Sequence, residues 1–115
     1  PADARALLGS ERRVGGSAHS TAELDRLAKG GADFAVLGPV FDTPSKRAYG
    51  PPLGLERFAA IAAASPIPVI GIGGIDAPRA AAVRAAGASG VATISAILGA
   101  DDPEQAARRL AAAPD

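Results

Sequence analysis

Four short apolar runs, at residues 14–18, 34–40, 67–72 and 91–97, are each followed by a stretch with helical spacing, and this alternation limits the fold more than any other feature of the chain. Strands covered on both faces need not alternate polar with apolar residues, so such runs suit a buried parallel sheet. The segments between them carry helix punctuation. Ser20 with Glu23 three residues later has the spacing of a capping box, and Leu24, Leu27 and Ala28 then share one helical face. Gly30 or Gly31 stops that helix. Leu55, Phe58, Ala59 and Ala62 recur at helical spacing, and Pro66 and Pro68 punctuate the passage into the third run. Asp76 followed by Pro78 opens another helix, which Gly87 ends. Asp102 as N-cap, Pro103 at the first helical position and Gln105 as capping-box partner open the last, with Ala106, Leu110 and Ala113 on one face.

Strand then helix, four times over, calls for parallel strands joined by right-handed crossovers, an α/β class. A faint internal repeat agrees with it. Gly31-Ala32-Asp33-Phe34-Ala35-Val36-Leu37 and Gly87-Ala88-Ser89-Gly90-Val91-Ala92-Thr93 both read as a helix stop feeding a strand, two strand–helix units apart. Residues 1–8 read as the end of a preceding helix, so the chain is expected to begin in mid-architecture, as one domain over residues 1–115.

Charge and composition narrow the function classes. Lys plus Arg total 12 and Asp plus Glu total 12, which leaves no broad basic field for nucleic acid and favours a small-molecule or protein partner. There is no Cys and a single His, which excludes a disulfide framework, thiolate metal sites and a histidine cluster within this sequence. The longest apolar run, residues 58–64, is mostly Ala and too short to span a bilayer; the expected compartment is the cytoplasm.

Parallel α/β proteins bind ligands at the carboxyl ends of their strands, and here the residues after the apolar runs are polar or Gly-rich. Gly71-Ile72-Gly73-Gly74-Ile75 puts adjacent glycines where a strand meets a helix N-terminus, a turn that suits a phosphate or is simply tight. Thr93, Ile94 and Ser95 would lie beside it. In the long Pro- and Gly-rich loop 41–53, Thr43-Pro44-Ser45-Lys46 offers two hydroxyls and an ammonium, which fit polyphosphate oxygens or, alternatively, a solvated turn. His19 is either a general acid/base or a residue that holds the strand-to-helix turn by hydrogen bonds. Ser17 has no adjacent base and no nucleophile elbow, so its hydroxyl is cast as a donor.

Taken in order, Gly16-Ser17-Ala18-His19-Ser20, Gly31-Ala32-Asp33-Phe34, Gly38-Pro39-Val40-Phe41, Thr43-Pro44-Ser45-Lys46, Gly71-Ile72-Gly73-Gly74-Ile75 and Ile94-Ser95-Ala96-Ile97 resemble the thiamine phosphate synthase and thiazole tautomerase superfamily over nearly the whole chain. The resemblance implies the C-terminal half, strands five to eight, of a (β/α)8 TIM barrel, whose full form runs to roughly 200–250 residues. It implies a transferase that couples an aminopyrimidine diphosphate to a thiazole phosphate and releases diphosphate. It casts Lys46, Ser17 and His19 as catalytic, Ser17, Thr43, Ser45 and Lys46 as diphosphate contacts, and Gly73, Gly74, Ile94 and Ser95 as the thiazole phosphate site. Position 45 is often Thr in the synthases; Ser45 keeps the hydroxyl. The family's Mg2+ would be held by acidic residues of the first half of the barrel, so no metal ligand is assigned here. A complementing N-terminal half-barrel, or self-association, is the expected partner. Two alternatives remain beside the synthase: a thiazole tautomerase using His19 as proton carrier, and a non-catalytic phosphate-binding half-barrel. Since synthases often carry the histidine too, it is Thr43-Pro44-Ser45-Lys46 that favours the synthase.

Overall fold

A computed structural model describes residues 3, 6, 7, 9, 13–41, 51–93 and 101–112. Strand β1 (Gly15–Ala18) leads to helix α1 (Thr21–Lys29), β2 (Phe34–Leu37) to α2 (Gly54–Ala64), β3 (Val69–Ile72) to α3 (Ala77–Ala85), and β4 (Gly90–Ala92) to α4 (Pro103–Ala112). The strands form one parallel sheet in the order β1-β2-β3-β4, so α1, α2 and α3 are each a crossover between spatial neighbours, as the alternating pattern requires, and α4 follows the last strand. Before β1, Asp3, Ala6 and Leu7 are helical.

The two stretches that look alike in sequence are alike in geometry. At the end of α1, Gly31 N–H donates to the Ala28 carbonyl and Ala32 N–H to the Leu27 carbonyl; at the end of α3, Gly87 donates to Arg84 and Ala88 to Val83. Both are Schellman closures, and both glycines sit at positive φ, 93° and 111°. Each closure then hands the chain to the sheet at the same point: Asp33 N–H bonds Val14 O, and Ser89 N–H bonds Val69 O.

The strands are shorter than the apolar runs, and proline sets two of the limits. Pro39, which has no N–H, stops β2 after Leu37, although Val40 N–H and Phe41 N–H go on to bond the carbonyls of Ile72 and Gly73. Pro66 and Pro68 delay β3 until Val69, and Ser65 Oγ closes that turn by donating to Ile67 O at 2.6 Å. β4 ends at Ala92; residues 94–97 of the expected run lie outside the described residues.

Register divides the sheet into two unlike faces. Ala18, Leu37 and Gly71, with Ala35 and Val69, face the helices and are buried with Leu24, Phe58, Ile61, Ala80 and Val83. Leu37 and Phe58 are 0% exposed, and a fully buried side chain of this size contributes about 1.5–3 kcal/mol by leaving water. The other face presents Ser17, Val36, Ile70, Ile72 and Ala92; Ser17 is exposed and the apolar residues are only half-buried. Among the described residues β1 pairs only with β2, and β4 only with β3, which leaves two open edges.

Candidate functional site

All four strands run the same way, so their carboxyl ends gather at one edge of the sheet. There a cavity of about 60 Å3 is lined by Ser17, His19, Val36, Gly38, Pro39 and Ile72. Ser17 belongs to β1 and His19 to the turn after it, so the two candidates from the first strand meet the turn after β2. The next residues after Ile72 are the paired glycines. Gly73 has φ 105° and Gly74 φ 66°, and a Cβ at Gly73 would come within 2.7 Å of Pro39 Cα and 3.0 Å of Val40 N. Only glycine passes that close to the neighbouring loop in that conformation. Thr93 Oγ1 donates to Ile75 O at 3.0 Å, which ties the exit of β4 to the same turn. Thr43, Ser45, Lys46, Ile94 and Ser95 lie outside the described residues. The stems of the 41–53 loop are nevertheless stitched together, with Leu53 N–H bonding Pro39 O and Gly54 N–H bonding Val40 O.

Local sequence explains how His19 is held. Ser20 Oγ accepts from Glu23 N–H at 3.2 Å and caps α1 as its type predicts. The reciprocal half of the expected capping box is not what forms. Glu23 Oε2 reaches one residue further back and accepts from His19 N–H at 3.2 Å, and it lies 3.1 Å from His19 Nδ1. The carboxylate is held below its ordinary pKa first by this side-chain hydrogen bond; burial opposes the shift, and the His19 backbone bond adds to it. His19 also lines a second, wider cavity of about 420 Å3 between α1 and α2, whose other wall carries Arg57 and Ile61.

Arg79 is a residue the motifs did not point to. Its guanidinium carbon stands 4.7 Å from the centre of the Phe41 ring, and Nη1 donates to Gly74 O at 2.9 Å. It bridges the entry of the 41–53 loop to the glycine turn. A cation in the first turn of a helix opposes the helix dipole, and that was the available signal for a special placement. Among the described residues no three His, Cys, Asp or Glu side chains converge as metal ligands, so these residues do not fit a Mg2+ site by themselves.

The parallel sheet and its helical crossovers have the architecture of half of a (β/α)8 barrel. A solved thiamine phosphate pyrophosphorylase from Pyrococcus furiosus superposes with a TM-score of 0.83 at 33% identity, over 96% of this chain and 52% of that one. The chain belongs to the family described as thiamine monophosphate synthase, whose sequence profile matches residues 1–97. It is 51% identical over 107 residues to the thiamine-phosphate synthase of Moorella thermoacetica, and 48% identical over 106 residues to that of a Roseiflexus species. These matches take in 93% and 92% of this chain but 51% and 45% of the relatives, so the chain spans about half the length of the proteins it resembles.

Proposed function

We propose that this chain is the phosphate-binding half, strands five to eight, of a thiamine-phosphate synthase, coupling an aminopyrimidine diphosphate to a thiazole phosphate. The reading rests above all on one observation: the edge that carries the Ser17 and His19 cavity, with the Gly73–Gly74 turn directly after its lining residue Ile72, belongs to a chain whose relatives carry that name along almost its whole length. In the proposed reaction the bond between the pyrimidine's methylene carbon and the diphosphate oxygen breaks, and the electron pair leaves with the oxygen. The thiazole nitrogen then donates its lone pair to the carbon. No proton transfer is needed for that exchange, so the protein's part is to align the two substrates and to stabilise the charge that grows on diphosphate.

Within this reading Ser17, Thr43, Ser45 and Lys46 contact the diphosphate, with the Lys46 ammonium offsetting the charge that develops on it, while Gly73, Gly74, Ile94 and Ser95 hold the thiazole phosphate. Glycines at positive φ ahead of the α3 N-terminus favour that second assignment, because the backbone there approaches a ligand without a side chain between. The half-buried apolar face of the sheet and its two open edges take a complementing half-barrel, another polypeptide segment or a second copy. Mg2+ would have its carboxylate ligands in that other half. Among the described residues no helix is long and apolar enough to cross a membrane, and we place the reaction in the cytoplasm. Calorimetry with a thiazole phosphate tests the site: Gly74→Val, folded by circular dichroism, is expected to bind it at least tenfold more weakly, and unchanged affinity would remove the assignment.

A further inference from the structure

Glu23 does more than its place in the first turn of α1 requires, because one carboxylate oxygen accepts from His19 N–H and also lies within hydrogen-bond distance of the His19 ring nitrogen Nδ1. An ionised carboxylate only accepts hydrogen bonds, and the same contact keeps Glu23 ionised. The 3.1 Å approach to Nδ1 is therefore a hydrogen bond only if Nδ1 carries a proton. In a neutral imidazole the other nitrogen, Nε2, then has a lone pair and no proton. We propose that Glu23 is a positioning residue that holds neutral His19 in the Nδ1–H form, so that His19 meets a ligand in the Ser17 cavity as a hydrogen-bond or proton acceptor. A fully deprotonated oxyanion offers nothing to such a nitrogen, whereas an amino or hydroxyl group does. His19 accordingly serves a donor-bearing substrate, and the anion contacts fall to Ser17 and the loop residues. The ligand half of this inference rests on the function proposed above; the tautomer half stands without it.

His19 is the one histidine of the sequence, so a two-bond proton–nitrogen correlation spectrum of the labelled 115-residue chain contains a single imidazole system. With the ring neutral, the wild type is expected to show a pyrrole-like Nδ1 and a pyridine-like Nε2. Glu23→Gln and Glu23→Ala should lose that preference, with the Nε2–H form rising severalfold, while circular dichroism stays unchanged because Ser20 caps the helix through the backbone of residue 23. The side chains of His19 and Glu23 are 52% and 42% exposed, so neither variant empties a core. A wild-type ring already in the Nε2–H form, or variants that leave the populations unchanged, would overturn the positioning role. Two probes then test the ligand half: 4-aminopyrimidine should shift Nε2, and sulfate, an oxyanion without a proton at neutral pH, should not convert Nε2 to the protonated form. Conversion by sulfate would overturn the acceptor role. Should neither probe bind, the function proposed for the cavity, and the ligand half with it, fails, while the tautomer result decides the positioning role on its own.

Discussion

Replacing Gly73 by Ala, with Gly54→Ala as its control, separates a conformational penalty from a packing penalty at the candidate site. Both glycines have positive φ, 105° and 77°, but a Cβ at Gly54 would meet nothing within 4 Å. A non-glycine residue in left-handed backbone costs about 1–2 kcal/mol, and the loss of glycine's freedom in the unfolded chain returns about 0.4–1 kcal/mol. Gly54→Ala should therefore cost about 1 kcal/mol net. At Gly73 the new Cβ would stand 2.7 Å from Pro39 Cα and 2.8 Å from Pro39 Cβ, and the backbone it strikes is fastened by Val40 N–H to Ile72 O and Phe41 N–H to Gly73 O. Relief means giving up one or both of those bonds, about 0.5–1.5 kcal/mol each, on top of the φ penalty. The expected total is about 2–4 kcal/mol. With a urea m-value of about 2 kcal/mol per molar, the unfolding midpoint should fall by about 1–2 M for Gly73→Ala and by less than about 1 M for Gly54→Ala. The sequence has no Trp, so far-UV circular dichroism is the probe. Equal midpoints for the two variants would refute the close approach of the glycine turn to Pro39, and with it the geometry given to the phosphate site.

Arg79→Gln and Phe41→Leu should each be mildly destabilising, and a double-mutant cycle should return a coupling of about 0.5–1 kcal/mol for the stacked cation; zero coupling would mean that Arg79 does not brace the loop entry. Glu23 has a lowered pKa in the folded chain, so its contribution to stability is present above the ordinary glutamate range, about 4.3, and is lost as pH falls through the lowered folded value. In unfolding midpoints measured from pH 6 downward, Glu23→Gln should flatten that part of the curve, whereas curves parallel to the wild type would contradict the His19 contact.

What was legible in the sequence followed from local physics. Apolar runs without alternation marked the parallel strands, and Gly31 and Gly87 marked two identical helix closures because a Schellman motif needs positive φ at one fixed place. Strand ends were overdrawn where Pro39, Pro66 and Pro68 interrupt the ladder, since an apolar run continues through residues that have no N–H to give. Glu23 was assigned to the wrong reciprocal partner for a geometric reason: it lies three residues after Ser20 and four after His19, and helical spacing permits both reaches. Arg79 escaped notice because its partner Phe41 is distant in sequence, and only the sheet's register brings the two loops together. Ser17, His19 and Gly73 fall at or just after strand carboxyl ends because parallel topology alone collects those ends at one edge.

The central claim, that this chain carries the diphosphate-releasing half of a thiamine-phosphate synthase, is tested most directly in a barrel completed by a relative. A chimera in which residues 1–115 replace the matching half of the Moorella thermoacetica protein restores a full-length chain at 51% identity across the exchanged segment. The measurement is diphosphate released per turnover from an aminopyrimidine diphosphate, with and without a thiazole phosphate, for the chimera and its Lys46→Ala variant. Release is expected to depend on the thiazole phosphate and to fall by about a hundredfold or more in Lys46→Ala, the loss typical of one preorganised charge-stabilising donor. A folded chimera that releases no diphosphate, or one whose turnover is unchanged by Lys46→Ala, would contradict it.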